Sequence, residues 1–321
     1  MATNRLEQKT AEKLDKLLGM LAANKNVAII MQDHPDPDAV ASGAALRKLA
    51  NSKDVNCSLV FSGMMGRSEN RALIDYLGLN LRRIAEVNLD TFDLIAMVDT
   101  QPGTGNNPLP EEKKPDIVID HHPIHKITRS VAFTDIRSGY GATATILCEY
   151  LKEAKLDLDA PLATALLYGI RSDTQDLGRQ AKKADFDAHY FLYSKANLRM
   201  LAQIQHSKLA DEEYQFLDTT LVKAQVFSPC IFTRLGAVEN PYMTGEIADL
   251  LVRREHTEWC LCSAIVKDNV LLSLRSKNEK KDAGSVIKRI VGRSGTAGGH
   301  HMLAGGQVPL EKGTKKEARE K

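Results

Sequence analysis

Short apolar runs that end in acidic residues or histidines are the feature that most constrains the fold of this chain. Three such runs have the length of a β-strand, at 27–31, 94–98 and 116–119. Continuous apolar runs are typical of strands covered on both faces, as in a parallel sheet. Helical patterns alternate with these runs, so the sequence predicts an α/β fold whose N-terminal parallel sheet carries helices on both faces.

The patterning changes twice along the 321 residues, which predicts three parts. Strand and helix patterns alternate through residues 1–190 and indicate the main domain. Residues 191–221 are charged and helical without a short apolar strand, and we interpret them as a helical linker. Strand-like runs return in 222–321, which predicts a smaller C-terminal α/β domain.

The overall composition excludes several classes of protein. The 43 basic and 41 acidic side chains give a net charge of +2, too balanced for a broad surface that binds duplex nucleic acid. The five cysteines fit neither a zinc module nor a disulfide framework, and Cys260 and Cys262 are expected to be buried thiols. We see no signal peptide and no apolar segment of about 20 residues, so we expect a cytoplasmic protein without a membrane partner.

Candidate metal ligands follow all three apolar runs. Because open α/β sheets bind their ligands at the carboxyl ends of the strands, these side chains are expected to converge. Carboxylates mixed with imidazoles suit Mn²⁺, with Mg²⁺ or Co²⁺ as the alternatives. The first run is followed by Gln32, Asp33, His34, Asp36 and Asp38, the second by Asp99, and the third by Asp120, His121 and His122.

Each acid also has an ordinary structural interpretation. Asp38 could cap the helix that follows it, and Asp99 could be a turn residue. Asp173, which follows an apolar helical segment, could cap a further helix. The proximity of the three runs in a parallel sheet favours the metal interpretation for the set as a whole.

The C-terminal part contains a second candidate binding element, the glycine-rich segment 292–306. Glycines at this density allow backbone amides to turn inward and bind an anion such as phosphate. Arg293 and His300 could add positive charge there. Arg275 and Ser276 end a predicted strand, and the guanidinium of Arg275 suits a phosphate or carboxylate.

The order of these motifs resembles the DHH phosphoesterase family with its DHH-associated C-terminal domain. The resemblance covers nearly the whole chain and is strongest to bifunctional oligoribonucleases and phosphoadenosine-phosphate phosphatases. The motifs that carry it are Pro35-Asp36-Pro37-Asp38-Ala39, Val98-Asp99-Thr100, Asp120-His121-His122-Pro123, Ser172-Asp173-Thr174, Ser273-Leu274-Arg275-Ser276 and Gly298-Gly299-His300.

The resemblance implies an active site that holds two divalent ions, usually manganese, in a cleft between the two domains. Asp36 would bind the first ion, Asp38 the second, and Asp99 would bridge them. His121 and Asp173 would complete the shell of the second ion. A homodimer is also implied.

The resemblance further implies roles in handling the substrate. His122 would orient or neutralise the scissile phosphate, with Asp120 as its supporting acid. The far end of a nucleotide would contact Arg275 and the segment Gly298-Gly299-His300.

One position departs from the family pattern. The first motif normally opens with a histidine, and this chain has Gln32 there. An amide oxygen is a poorer manganese ligand than imidazole. The first ion would then be bound more weakly, or Gln32, His34 or Asp33 would substitute for the missing histidine.

The expected activity is hydrolysis of short RNA or DNA oligonucleotides, linear dinucleotides or nucleoside bisphosphates by a metal-activated hydroxide. One alternative is an inorganic pyrophosphatase of family II, although that group ends in a serine-arginine-lysine signature that is absent here. The other alternative is a nucleotide sensor without catalysis, in which Gln32 marks the loss of one metal site.

Overall fold

The computed structural model describes residues 2–209, 211–278, 280–300 and 302–310, but not the side chains of residues 2–7, 212 and 300. The charged tail 311–321 lies outside the described residues. The chain forms two compact units, Met1–Ser207 and Lys208–Lys321. The predicted bounds of 1–190, 191–221 and 222–321 stay a prediction.

The first unit contains a six-stranded parallel sheet. Its order, β3-β2-β1-β4-β5-β6, places β2 and β3 on one side of β1 and β4, β5 and β6 on the other. Crevices at such a reversal, beyond the carboxyl ends of the strands, are where open α/β sheets bind ligands. The strands are β1 (Asn26–Ile30), β2 (Asn56–Phe61), β3 (Leu81–Arg83), β4 (Leu94–Val98), β5 (Ile117–Asp120) and β6 (Phe133–Ile136).

Seven α-helices belong to this unit. They are α1 (Ala2–Ala22), α2 (Pro37–Asn51), α3 (Ser68–Leu77), α4 (Thr143–Glu153), α5 (Ala160–Asp173), α6 (Lys183–Tyr193) and α7 (Leu198–Gln205). Their apolar side chains build one large core on one face of the sheet. The second face is covered by a smaller cluster, formed with short 3-10 helices at Ile84–Glu86 and Leu89–Thr91 and with adjoining loops.

Burial along the central strands confirms the interpretation of the apolar runs. All five residues of β4 are buried, and so are all four of β5. Their side chains alternate between the two clusters, because successive residues of a strand point to opposite faces. The predicted α/β fold with an N-terminal parallel sheet is thus confirmed, although the described α-helices pack on one face of that sheet, and the other face, where helices were also expected, is covered by short 3-10 helices and loops.

The second unit is built on a mixed six-stranded sheet with the order β11-β12-β10-β9-β8-β7. Only the β8–β9 pair is parallel among the described strands. The strands are β7 (Gln225–Phe227), β8 (Cys230–Ala237), β9 (Trp259–Val266), β10 (Asn269–Ser276), β11 (Thr296–His300) and β12 (Leu303–Pro309), and the helices are α8 (Asp211–Lys223), α9 (Met243–Leu251) and α10 (Ala283–Val291).

Two apolar clusters hold this unit together. Cys260 and Cys262 are buried with α9 and the partly buried residues of α8, as expected for inert thiols. Leu274 and Ala304 pack against α10 in a second cluster.

The glycine-rich segment forms a β-hairpin of β11 and β12, and its predicted anion binding stays a prediction. Gly298 pairs with Gly305, and Gly299 pairs with Ala304. A Cβ on Gly284 would lie 2.1 Å from the carbonyl oxygen of Gly299, so α10 approaches the hairpin backbone too closely for larger residues. Gly299 itself has φ = +142°, which favours glycine. Dense glycine here serves close packing of a helix on a strand.

Within the described residues, no helix combines the length and the apolar character needed to cross a bilayer.

Candidate metal centre

The candidate centre lies where β1, β4 and β5 end. Asp99 directly follows β4 and adopts a positive φ of 58°, so the chain turns sharply at the sheet edge. Asp120 is the last residue of β5. Two groups of candidate ligand atoms, each within 4.8 Å of one another, are formed by Asp99, Asp120, His121 and His122, and by Asp38, His121 and Asp173.

Asp38 is held by the beginning of another helix. It is fully buried in the first turn of α2, and its two oxygens accept the backbone N–H groups of Thr143 and Ala144, each at 2.7 Å. These amides open α4, where unpaired N–H groups and the helix dipole favour a negative charge. Each carboxylate oxygen keeps a lone pair that points elsewhere.

Asp99 is almost completely buried and receives two side-chain hydrogen bonds. The hydroxyl of Thr143 donates to Oδ1 at 3.0 Å, and Nε2 of Gln32 donates to Oδ2 at 3.3 Å. Thr143 therefore contacts two carboxylates of the centre, Asp38 through its backbone and Asp99 through its side chain.

His121 presents one ring nitrogen to the acids. Its Nδ1 lies 3.3 Å from the carbonyl oxygen of Tyr140, which can only accept, so the proton is on Nδ1 and a neutral ring offers Nε2 as a ligand. Nε2 is buried and has no hydrogen-bond partner among the described residues. It lies 3.3 Å from Oδ2 of Asp173 and 3.6 Å from Oδ1 of Asp99.

These spacings test whether a metal ion fits. A buried ring nitrogen with no aligned hydrogen bond is costly in a native fold unless a proton shared with a nearby carboxylate or a bound ion satisfies it. Two carboxylate oxygens within 3.6 Å of His121 Nε2 make a divalent cation the natural candidate, since Mn²⁺ accepts this mixed ligand set. The residues present therefore fit a metal ion.

His122 is oriented by Asp120 and partly exposed. Its Nδ1 lies 2.9 Å from Oδ1 of Asp120, while the other oxygen of Asp120 accepts Nε2 of Gln101 at 2.7 Å. Gln101 is itself fixed, because its Oε1 accepts the backbone N–H of His125 and the hydroxyl of Thr128, both at 2.8 Å.

Burial, followed by repulsion from neighbouring acids, raises the pKa values of the carboxyl groups in the centre. Burial and then the charge of Asp173 raise the pKa of Asp36 to about 6 and that of Asp38 to about 7. Burial and the charge of Asp38 hold the pKa of Asp99 well above its usual value. Such a cluster is unfavourable in its fully ionised form unless a cation neutralises it.

The two histidines show the complementary effect. Burial disfavours the imidazolium of His121, but the carboxylates of Asp173 and Asp38 outweigh it and raise its pKa to about 10. Burial also opposes a charge on His122, yet its bond to Asp120 raises the pKa of the ring. The pKa of Asp120 is lowered, because His122 outweighs the effect of burial on that carboxyl.

The candidate ligands between Gln32 and Asp38 do not all lie in the centre. Asp36 caps α2, with Oδ1 accepting the N–H of Ala39 at 3.0 Å, and it belongs to neither ligand group. His34 has φ = 60° and accepts the N–H of Met64 on Nδ1 at 3.0 Å, which places its ring at the turn after β2. Asp33 accepts the hydroxyl of Ser62. Besides Asp36 and Asp38, Gln32 also reaches the centre from this segment. It does so by donating to Asp99.

The β6–α4 loop supports the centre through contacts that the sequence analysis missed. The fully buried carboxylate of Asp185 accepts the N–H of Gly141 at 2.8 Å and the hydroxyl of Thr145 at 2.6 Å. Arg137 donates to the hydroxyl of Tyr140 at 3.1 Å. The loop that carries the carbonyl of Tyr140 and the amide of Thr143 is thereby anchored at both ends.

The predicted substrate residues lie in the second unit and are described within it. Arg275 donates through Nε to Asp249 of α9. Ser276 is buried and its hydroxyl accepts the N–H of Asn278 at 2.9 Å, while Arg293 is exposed between α10 and β11. Gly298 and Gly299 lie in β11, and the side chain of His300 is outside the part of the chain that the structure describes.

Comparison with known families agrees with this architecture. Residues 26–170 match the N-terminal domain of the DHH family, and residues 227–321 match the DHHA1 domain. The chain carries a DHH domain followed by a DHHA1 domain. The metal centre described above lies at the strand ends of the DHH domain and extends to Asp173, three residues beyond the match.

Individual relatives share this pair of domains to different extents. The chain is 33% identical over 284 residues to an uncharacterised protein of Methanocaldococcus jannaschii, which covers 88% of this chain and 58% of that protein. It is 26% identical over 150 residues to the manganese-dependent inorganic pyrophosphatase of Bacillus subtilis, with 47% of this chain and 48% of that protein covered. The chain thus spans about half the length of these relatives.

The fold is shared with a solved structure. An exopolyphosphatase-related protein from Bacteroides fragilis superposes with a TM-score of 0.67 at 13% identity, covering 97% of this chain and 93% of that one. At this identity the similarity concerns the fold alone.

Proposed function

We propose that this chain is a divalent-metal-dependent phosphohydrolase acting on short oligonucleotides, linear dinucleotides or nucleoside bisphosphates. The observation that carries the proposal is the buried Nε2 of His121, which has no hydrogen-bond partner among the described residues and lies within 3.6 Å of two carboxylates. Two metal ions, Mn²⁺ before Mg²⁺ or Co²⁺, suit the donors available.

Different residues of the chain would bind the metal ions and contact the substrate. Asp38, Asp99, His121 and Asp173 would hold metal, with Asp36 and Gln32 at the neighbouring position. Bound divalent ions would lower the pKa of a water molecule and neutralise charge that develops on the phosphoryl oxygens.

His122 would act on the substrate phosphate. Its side chain is 45% exposed, and the buried carboxylate of Asp120 favours its protonated form. An imidazolium fixed in this way donates a charge-assisted hydrogen bond to a phosphate oxygen, and that bond strengthens as negative charge develops there. Asp120 would serve as its positioning residue.

A nucleotide substrate would also contact the DHHA1 domain. We propose that Arg275, Ser276, Arg293 and the Gly298-Gly299-His300 strand contact the end of the nucleotide remote from the scissile bond. Binding energy from a remote group of this kind raises kcat/KM when it is expressed in the transition state.

Inorganic pyrophosphate is the second candidate substrate, because a manganese-dependent pyrophosphatase is among the relatives. The similarity to that pyrophosphatase covers 47% of this chain. This chain also carries a DHHA1 domain at residues 227–321. We therefore rank a nucleotide first.

A substrate panel with Mn²⁺ tests the proposal. Purified protein should release mononucleotide from pApA or phosphate from pAp, and cyclic dinucleotides and a short RNA complete the panel. Turnover of pyrophosphate alone would establish the second candidate. Nucleotide affinity without any turnover by metal-loaded protein would instead identify a sensor, and light scattering on the same sample would test the expected homodimer.

A further inference from the structure

We infer that the metal centre has two unequal positions and that Gln32 sets the difference. The tight position consists of Asp38, Asp99, His121 and Asp173. The weak position lies on the side of Asp36 and Gln32 and shares Asp99. The inference rests on the proposed function only in assuming that the centre binds divalent metal.

The tight position is built before an ion arrives. Ligand atoms of Asp38, His121 and Asp173 already lie within 4.8 Å of one another. The amides of Thr143 and Ala144 fix both oxygens of Asp38 at 2.7 Å, and the carbonyl of Tyr140 fixes the ring of His121. A cation therefore finds oriented ligands, which minimises the cost of reorganisation.

The weak position has fewer ligands within reach. Among the described residues, Asp36 joins no group of three or more carboxylates, imidazoles or thiols with ligand atoms within 4.8 Å of one another. One oxygen of Asp36 also accepts the N–H of Ala39 at the start of α2. An ion at the weak position would be bound by Asp36, by Asp99, which also belongs to the tight position, and by any ligand atom that residue 32 provides.

Residue 32 supplies hydrogen-bond donors. Gln32 donates from Nε2 to Asp99 at 3.3 Å, and its side chain also hydrogen-bonds Asp36. Since carboxylates only accept, the amide must turn its N–H groups toward them, and an N–H group cannot bind a cation. To offer its oxygen, Gln32 would have to break these bonds, and a neutral amide oxygen is still a poorer Mn²⁺ ligand than imidazole.

Occupancy should therefore be sequential. One Mn²⁺ per chain should bind tightly, and a second should bind with a dissociation constant at least about tenfold higher, the scale of effect seen when a metal site loses supporting contacts. In the proposed enzyme, half-maximal activation should follow the second constant rather than the first.

Calorimetric titration of the metal-free full-length chain with Mn²⁺ tests the inference directly. Two separate binding events are expected, and electron paramagnetic resonance should show an isolated ion at one equivalent and a coupled pair only at higher Mn²⁺. Two events of equal affinity would overturn the inference while leaving metal dependence intact. Absence of any Mn²⁺ binding would instead remove the proposed function itself.

Substitutions test which residues form the tight and the weak position. Gln32→His should tighten the weaker event at least about tenfold and leave the tighter one unchanged. Gln8→His, on the exposed part of α1, is the matched control and should change neither. An unchanged weaker event in folded Gln32→His would refute the role of residue 32.

A second pair of variants tests the two positions independently, in case Gln32→His does not fold. Asp36→Asn keeps a residue that caps helices well and should remove only the weaker event. Asp38→Asn should remove the tighter one. If Asp36→Asn abolished the tighter event, the assignment of the two positions would be wrong.

Discussion

Asp135 is the buried acid whose replacement should cost the first unit most stability outside the metal centre. It is 1% exposed in β6 and accepts Nε and Nη2 of Arg137 at 2.9 and 2.7 Å and the hydroxyl of Tyr150 at 2.6 Å. Lys13 also contacts it. Asp135→Asn removes the charge and turns an amide toward these donors.

The magnitude follows from the geometry. Removing one partner of a buried ion pair costs about 3–5 kcal/mol. Asp135→Asn should lie at the lower end of this range, because Nη1 of Arg137 keeps its contact with Glu149 at 2.6 Å. For a unit of this size, about 2–4 °C of melting temperature corresponds to 1 kcal/mol, so a loss of about 3 kcal/mol should lower the melting temperature of the first unit by about 6–12 °C. Because Arg137 also holds Tyr140, whose carbonyl orients His121, Mn²⁺ affinity should fall as well.

The pH dependence has a definite sign. Burial alone would raise the pKa of Asp135, but the hydrogen bonds and charge of Arg137 outweigh it and hold the pKa below its usual value. A depressed folded pKa stabilises the protein above the unfolded pKa of about 3.9, and this stability is lost as the pH falls through the folded pKa. The wild type should therefore lose more stability on acidification below pH ~4 than Asp135→Asn does.

Differential scanning calorimetry at pH 7 and in the acid range measures both effects. Asp93→Asn is the control, because this exposed carboxylate also accepts two N–H groups, those of Lys25 and Asn26 at 2.9 Å, without a buried charge partner. The control should shift the melting temperature far less. Equal shifts for the two variants would refute the claim that the Asp135–Arg137 pair stabilises the unit.

Two further predictions concern the centre itself. Thr143→Val removes the hydroxyl donated to buried Asp99 and keeps the amide that binds Asp38, so Mn²⁺ affinity measured by calorimetry should fall about tenfold or more, and Thr143→Ser should restore it. An unchanged affinity in Thr143→Val would show that this hydroxyl does not hold Asp99. His122→Gln should lower kcat by about 10²-fold while metal content measured by mass spectrometry stays the same. Loss of metal from that variant would make His122 a ligand instead of a phosphate contact.

The strand ends of the DHH domain could be predicted from sequence because their signal is local. A buried parallel strand is a continuous apolar run, and a ligand at its carboxyl end is the next residue in the chain. This reasoning located Asp99, Asp120 and His121, and the structure places them at one sheet edge. Asp173 was harder to interpret, since a carboxylate at the end of α5 has no strand to mark it.

The supporting contacts could not be predicted in this way. The amides of Thr143 and Ala144 and the carbonyl of Tyr140 are backbone groups that every residue has, so no residue type marks them. Asp185 lies 44 residues from Gly141, and only the tertiary fold brings them together. The hairpin formed by the glycine-rich segment could not be predicted for a different reason, because the same composition suits an anion-binding loop and a hairpin packed closely under a helix.

The raised pKa values at the centre lead to a last prediction, that Mn²⁺ binding competes with protons. Metal binding needs ionised carboxylates and a neutral imidazole. Burial and the charge of Asp173 raise the pKa of Asp38 to about 7, and neighbouring acids raise that of His121 to about 10. Below these values the free site holds protons that a cation must displace, so apparent affinity should rise as the pH increases from 5 to 8.

Calorimetry at one pH in two buffers of different ionisation enthalpy counts the protons released. We expect at least one proton per Mn²⁺ at pH 6, because the raised pKa values of Asp38 and His121 favour their protonated forms in the metal-free protein. Asp38→Asn removes one of these acids, so any Mn²⁺ that it still binds should release fewer protons. Binding without proton release at pH 6 would mean that Mn²⁺ does not displace protons from these residues, and the ligand assignment would have to be abandoned.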